Sequence, residues 1–176
     1  SGSDFEKNLQ IAIEEVINNK CENFALLSVT EPPSKFAIAS GGRTPGSSAD
    51  RIKHLIENIS RIHGDRVRAN PTVHSMRAER IKNIVLVEDF VGSGDRIKGF
   101  WKHMVSKSIK SWASFGWTKI WLICYARLEK GFAAVSRVVP ITKERMISVL
   151  PSQDKQLTLT PAMNAVAETY GRRVRG

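Results

Sequence analysis

Cysteine is scarce in this chain. Its 176 residues hold two, Cys21 and Cys124, far apart and outside any CxxC, so no disulfide framework and no cysteine-based zinc site is encoded. Cys124 lies within the apolar run IWLICYA, where a buried thiol is common. The four histidines, His54, His63, His74 and His103, are scattered and read as surface or packing residues. No apolar run approaches the roughly 20 residues of a bilayer-crossing helix, and the opening SGSDFEKN lacks the charged and apolar regions of a signal peptide. A cytoplasmic protein with no membrane partner is expected. Acidic residues are also in short supply, 17 against 27 Lys and Arg, for a net charge of +10. That excess draws polyanions, whether nucleic acid, pyrophosphate-bearing metabolites or an acidic partner, without choosing among them.

What is present is ordinary for one globular domain. The length suffices to bury most of the apolar surface, and 41% hydrophobic with 25% charged residues excludes disorder and fibrous architectures. Phe5, Leu9, Ile13, Val16 and Ile17 repeat at a helical period, predicting a helix over 4–18, followed by a short strand FALLSV over 24–29. Residues 30–47 are rich in Pro, Gly and Ser and read as a long loop around a short edge strand, FAIAS, at 36–40. Ser47-x-x-Asp50 resembles a capping box for a helix that carries Ile52, Leu55, Ile56 and Ile59 and stops at His63-Gly64.

RVRA over 66–69 is a weak strand and HSMRAERIK a short helix or turn. KNIVLVEDF and TKIWLICYA have the unbroken apolar character of strands buried on both faces, which belong mainly to parallel sheets. Between them Ile97, Phe100, Trp101, Met104, Val105 and Ile109 predict one helix over 95–114. EKGFAAVSRV is helical, RMISVL a final strand, and Thr160-Pro161 opens a last helix closed by Gly171. Trp101, Trp112, Trp117 and Trp121 sit mostly at core-compatible positions. Alternating strands and helices indicate an α/β domain with a largely parallel sheet flanked by helices. Ser1–Ser3 read as a cloning remnant, residues 4–150 as the core, and 151–176 as a C-terminal extension with a basic tail.

The stretch IVLVEDFVGSGDR carries the chemistry. Glu88 and Asp89 stand at the carboxyl end of a strand, where α/β sheets collect ligands. Two ionised carboxylates offer acceptors only, suited to the vicinal hydroxyls of a ribose or to a magnesium ion. One step on, Gly92, Ser93 and Gly94 leave the backbone free to turn its amides onto an anion at the start of the next helix, and Ser93 adds a hydroxyl. Sugar on the acids and phosphate on the loop describe a 5-phosphoribosyl group.

The pattern of apolar strand, two acids, two apolar or small residues, then small-Ser/Thr-Gly resembles the signature of type I phosphoribosyltransferases, and Ile84–Gly94 match it position by position. The resemblance implies a Rossmann-like fold in which Glu88 and Asp89 hold the ribose hydroxyls of phosphoribosyl pyrophosphate, Val91, Gly92, Ser93, Gly94, Asp95 and Arg96 wrap the 5-phosphate, and Mg2+ is held by the acids through the ligand. VEDFVGSG, with LLSVTEPP, GSSADRI and SMRAERIKN upstream, looks like a divergent branch of phosphoribosyltransferase-like proteins of bacterial conflict and antiphage systems.

Two positions depart from the pattern. Asp95 and Arg96 replace the usual Gly and Thr, bringing a carboxylate to a loop meant for a dianion and an arginine able to offset it. The candidate pyrophosphate loop is GGRTPGSS, with Gly41, Gly42, Arg43, Gly46 and Ser47.

GGRTPGSS also falls in the frame of a phosphate-binding P-loop, but Ser47 stands where the essential lysine belongs. A dinucleotide fingerprint fails because Ile97 occupies the third glycine position. The plainest alternative makes Glu88 and Asp89 a solvated strand end and Gly92–Gly94 a turn. Two functions of different class remain: phosphoribosyl transfer, and a non-catalytic module that senses a phosphoribosyl or nucleotide ligand or docks nucleic acid or a partner protein. Arg77, Arg80 and Lys82, with Arg172, Arg173 and Arg175, supply a polyanion patch for the second, and an oligomer is compatible with either.

Overall fold

The computed structural model describes residues 2–30 and 47–154. The expected strand at 36–40, the loop Gly41–Gly46 and the helix and basic tail after residue 154 lie outside them. Six helices and five strands alternate along the described chain. Helix α1 (Gly2–Asn18) and strand β1 (Phe24–Ser28) come first. Helix α2 (Ser48–Ile62) is capped as its sequence predicts, with the Ser47 hydroxyl oxygen accepting from the Asp50 amide. Strand β2 (Val67–Ala69) and helix α3 (Val73–Ala78) follow, then β3 (Asn83–Val91), α4 (Asp95–Gly99), α5 (Lys107–Ser114), β4 (Lys119–Arg127), α6 (Glu129–Ser136) and β5 (Met146–Ser148).

The strands form one sheet in the order β2-β1-β3-β4-β5, every neighbouring pair parallel. Both faces are covered, which is why β3 and β4 read as continuous apolar runs rather than alternating ones. Val85 and Val87 of β3 turn to one face, where Leu9, Ile13 and Ile17 of α1 and Ile52, Ile56 and Ile59 of α2 close over them. Ile84 and Leu86 turn to the other, against Met76 of α3, Ile97, Phe100 and Trp101, Ile109 of α5, and Phe132 and Val135 of α6.

Two elements differ from expectation. The helix over 95–114 is two helices: after α4 the chain makes a π turn over Phe100–Met104, with the Val105 amide donating to the Phe100 carbonyl at 3.0 Å. The extra residue in that turn rotates Met104 outward, 45% exposed, and delivers Val105 to the core. Ser106 then takes extended geometry and caps α5 by accepting from the Ile109 amide. Strand β3 continues past the two acids to Val91 instead of ending at them. Of the tryptophans, Trp101 and Trp121 are buried and Trp112 packs against the core, but Trp117 is 62% exposed because it lies in the turn after α5, beyond the helical stripe.

Candidate functional site

The strand order places the site. From β1 the chain crosses to β2 on one side of the sheet, and from β3 it crosses to β4 on the other, so the connections leave the carboxyl ends of β1 and β3 in opposite directions and open a crevice between them. Register locates the acids within it. Pairing of β1 with β3 ends at Ser28 and Val87, and Glu88 is the next residue, paired across to Cys124 of β4.

Glu88 is 1% exposed. Its Oε1 accepts from the Asp89 amide at 3.0 Å and lies 3.6 Å from Arg96 Nη1, while Oε2 is buried with no hydrogen-bond partner among the described residues. Burial, reinforced by the hydrogen bond to the Asp89 carboxylate, pushes the Glu88 carboxyl from 4.5 up to about 8, against the pull of Arg96. Asp89 shows the opposite balance. Burial works to raise it, but hydrogen bonds from Glu88, Ser48 and the Phe90 amide, together with Arg96, hold it below the usual carboxylate range. Burial therefore favours a proton on Glu88 at neutral pH, while Asp89 stays ionised. Sequence alone suggests two ionised acids; burial of Glu88 sets the two apart.

The glycine loop closes the floor of a cleft of about 280 Å³ lined by Glu88–Ile97. Gly94 takes φ +81°, a left-handed conformation that favours glycine, and starts α4 there. The Ser93 hydroxyl donates to Asp95 Oδ2 at 2.7 Å, and Asp95 Oδ1 pairs with Lys98 Nζ at 2.8 Å. The Asp95 carboxylate is thereby turned to solvent, 75% exposed, and matched by a cation. Arg96 sits between the loop and the acids, its Nη1 3.6 Å from Glu88 and 3.8 Å from Asp89.

Two contributors escape sequence reasoning. Helix α6 carries Gly131, where a Cβ would collide with the Gly92 carbonyl oxygen and press on Val91, so this glycine lets α6 lie directly under the loop. Its partner contact runs the other way: a Cβ at Gly94 would come within 2.9 Å of the Gly131 carbonyl oxygen and of Val135 Cγ2. Ser48, in the first turn of α2, helps hold the Asp89 carboxyl down. A lone glycine in EKGFAAV and a serine in GGRTPGSS give no sign of these contacts without the strand order. Of the candidate pyrophosphate loop only Ser47 is described, and its hydroxyl serves the α2 cap and Asp50.

Among the described residues no group of three His, Cys, Asp or Glu could hold a metal ion. Two carboxylates, one with an unsatisfied buried oxygen, fit a magnesium ion that arrives with a phosphate-bearing ligand, since magnesium keeps most of its shell as water and phosphate oxygen. A larger depression of about 470 Å³ lies beside β2 and α3, where Arg68 is engaged with Glu79 and Asn70 with Ser28.

An all-parallel sheet in this order, with adjacent acids and a glycine loop at its switch point, defines a phosphoribosyltransferase-like protein. The PRTase-CE family model matches residues 1–164, and the chain belongs to that family. Among solved structures it is similar to the Helicobacter pylori xanthine-guanine-hypoxanthine phosphoribosyltransferase, at 14% identity over 86% of each chain with a TM-score of 0.42. No curated protein matches.

Proposed function

We propose that the crevice binds the phosphoribosyl group of phosphoribosyl pyrophosphate or of a nucleotide. The observation that carries this is the pairing, in one cleft, of a partly exposed ionised Asp89 with the backbone loop Gly92–Gly94 immediately downstream. Asp89 would accept from the ribose hydroxyls, and Glu88 would meet them through Oε2, its oxygen without a hydrogen-bond partner among the described residues. The loop amides from Val91 to Arg96 would receive the 5-phosphate, with Asp95 kept off it by Ser93 and Lys98. Magnesium, when bound with the ligand, would neutralise the pyrophosphate that leaves C1. Charge growing at C1 faces Asp89, which favours transfer to an incoming nucleophile. Service in antiphage defence accords with the family resemblance.

A second function, sensing without turnover, is favoured by the deep burial of Glu88 and by the Arg96 guanidinium that already sits against both acids. The two separate in one experiment. Release of pyrophosphate from phosphoribosyl pyrophosphate with Mg2+, lost in Asp89→Asn, indicates transfer. Thermal stabilisation by the same ligand with no release indicates sensing, and the absence of both effects in wild type overturns the ligand assignment.

A further inference from the structure

The opposite end of the sheet carries a feature the crevice does not use. Phe115 and Trp117, 67% and 62% exposed, stack on each other with ring centroids 5.3 Å apart in the turn that leads into β4. Exposed aromatic pairs of this size are uncommon on a surface with no partner. Their surroundings are cationic. Arg77 lies over the ring of Trp112 at 6.0 Å, and the Trp117 amide donates to the Trp112 carbonyl. Lys82 and Lys119 adjoin through a backbone hydrogen bond of 2.8 Å, and Arg80 lies two residues before Lys82. Arg77, Arg80, Lys82 and Lys119 are all exposed.

Acids nearby are occupied elsewhere. Glu79 pairs with Arg68 at 2.8 Å, and Glu22 accepts from the Asn83 amide group at 2.5 Å. No carboxylate among the described residues forms an ion pair with any of the four cations, so their field reaches solvent. The patch is also remote from the acids of the crevice: from Asn83 to Glu88 is five strand steps, roughly 17 Å.

We propose that this edge binds single-stranded nucleic acid, with bases stacking on Trp117 and Phe115 and the backbone phosphates tracking Arg77, Arg80, Lys82 and Lys119. Stacked aromatics accept any base through its π face, while a row of flexible cations follows a phosphate chain, the pairing that non-sequence-specific single-strand binders use. A duplex, its bases already stacked, offers only its phosphates to such a surface.

Fluorescence anisotropy of the full chain with labelled dT15 and rU15, across a sodium chloride series, tests this. Binding to at least one strand is expected, tighter than to a duplex of equal length, with affinity falling steeply as salt rises at about 0.7 in the log–log slope per phosphate contact. Trp117→Ala and Phe115→Ala should each weaken it at least about fivefold, the low end of one base stack. Lys82→Ala with Lys119→Ala, removing two phosphate contacts, should flatten the salt slope by about 1.4. Both aromatics are exposed, so unchanged melting temperatures accompany these losses, and added phosphoribosyl pyrophosphate does not displace the strand. Absence of salt-dependent binding, indifference to Trp117→Ala, or equal preference for duplex overturns the proposal. So does a concentration-dependent dimer dispersed by Trp117→Ala, which makes the patch a contact between copies.

Discussion

Substituting Glu88→Gln tests the electrostatics of the crevice without altering its shape. The folded chain holds the Glu88 proton up to about pH 8, whereas the unfolded chain releases it near 4.5. Below the unfolded value both states are protonated and burial carries no ionic penalty. As pH rises from there to about 8 the unfolded chain ionises while the folded one does not, so stability falls, and above about 8 the loss is complete. A displacement of that size corresponds to roughly 5 kcal/mol in full, of which roughly 3 kcal/mol falls between pH 6 and 9.

Gln has no charge to lose; groups remote from Glu88 cancel in the difference, and Asp89, held below the usual carboxylate range, does not titrate between pH 6 and 9. Any fixed offset from placing an amide beside Arg96 also cancels, because the slope is what is read. Thermal melts in EDTA at pH 6, 7.5 and 9 should show wild type losing about 6–12 °C relative to Glu88→Gln across that range, at 2–4 °C per kcal/mol for a chain of this length. Parallel curves would refute the buried, protonated carboxyl. A difference that widens toward low pH would reverse its sign.

Gly131→Ala should disturb the loop from beneath. The added methyl meets the Gly92 carbonyl and Val91, so a cost of about 1–3 kcal/mol in stability is expected together with weakened ligand-induced stabilisation, both measurable in one melt series. The thiols should behave oppositely to each other: Cys21 is exposed, while burial pushes Cys124 up to about 12. A thiol reagent at pH 8 should therefore modify one cysteine in native protein and two after denaturation, counted by mass.

Much of this architecture is legible in the residues. The unbroken apolar character of IVLV and IWLICYA announces parallel strands covered on both faces, and Ser47 with Asp50 announces the start of α2. The acids and the glycine loop are legible as a unit because a strand end and a helix start must share the same few residues. What stays hidden depends on three-dimensional neighbours. Whether Glu88 is ionised depends on how completely β4 and Arg96 enclose it, and Gly131 matters only because α6 passes under the loop. The break at Met104–Ser106 is hidden for a related reason. Ile97, Phe100, Trp101, Met104, Val105 and Ile109 read as one helical stripe, and only the π turn, which turns Met104 out while keeping Val105 and Ile109 in the core, breaks it.

Calorimetric titration of phosphoribosyl pyrophosphate with Mg2+ into the wild-type chain and into Asp89→Asn bears most directly on the crevice. Saturable binding to wild type, weakened at least tenfold by the substitution, is the predicted result. No heat with wild type, or equal affinity in the two proteins, would contradict a ribose held on Asp89.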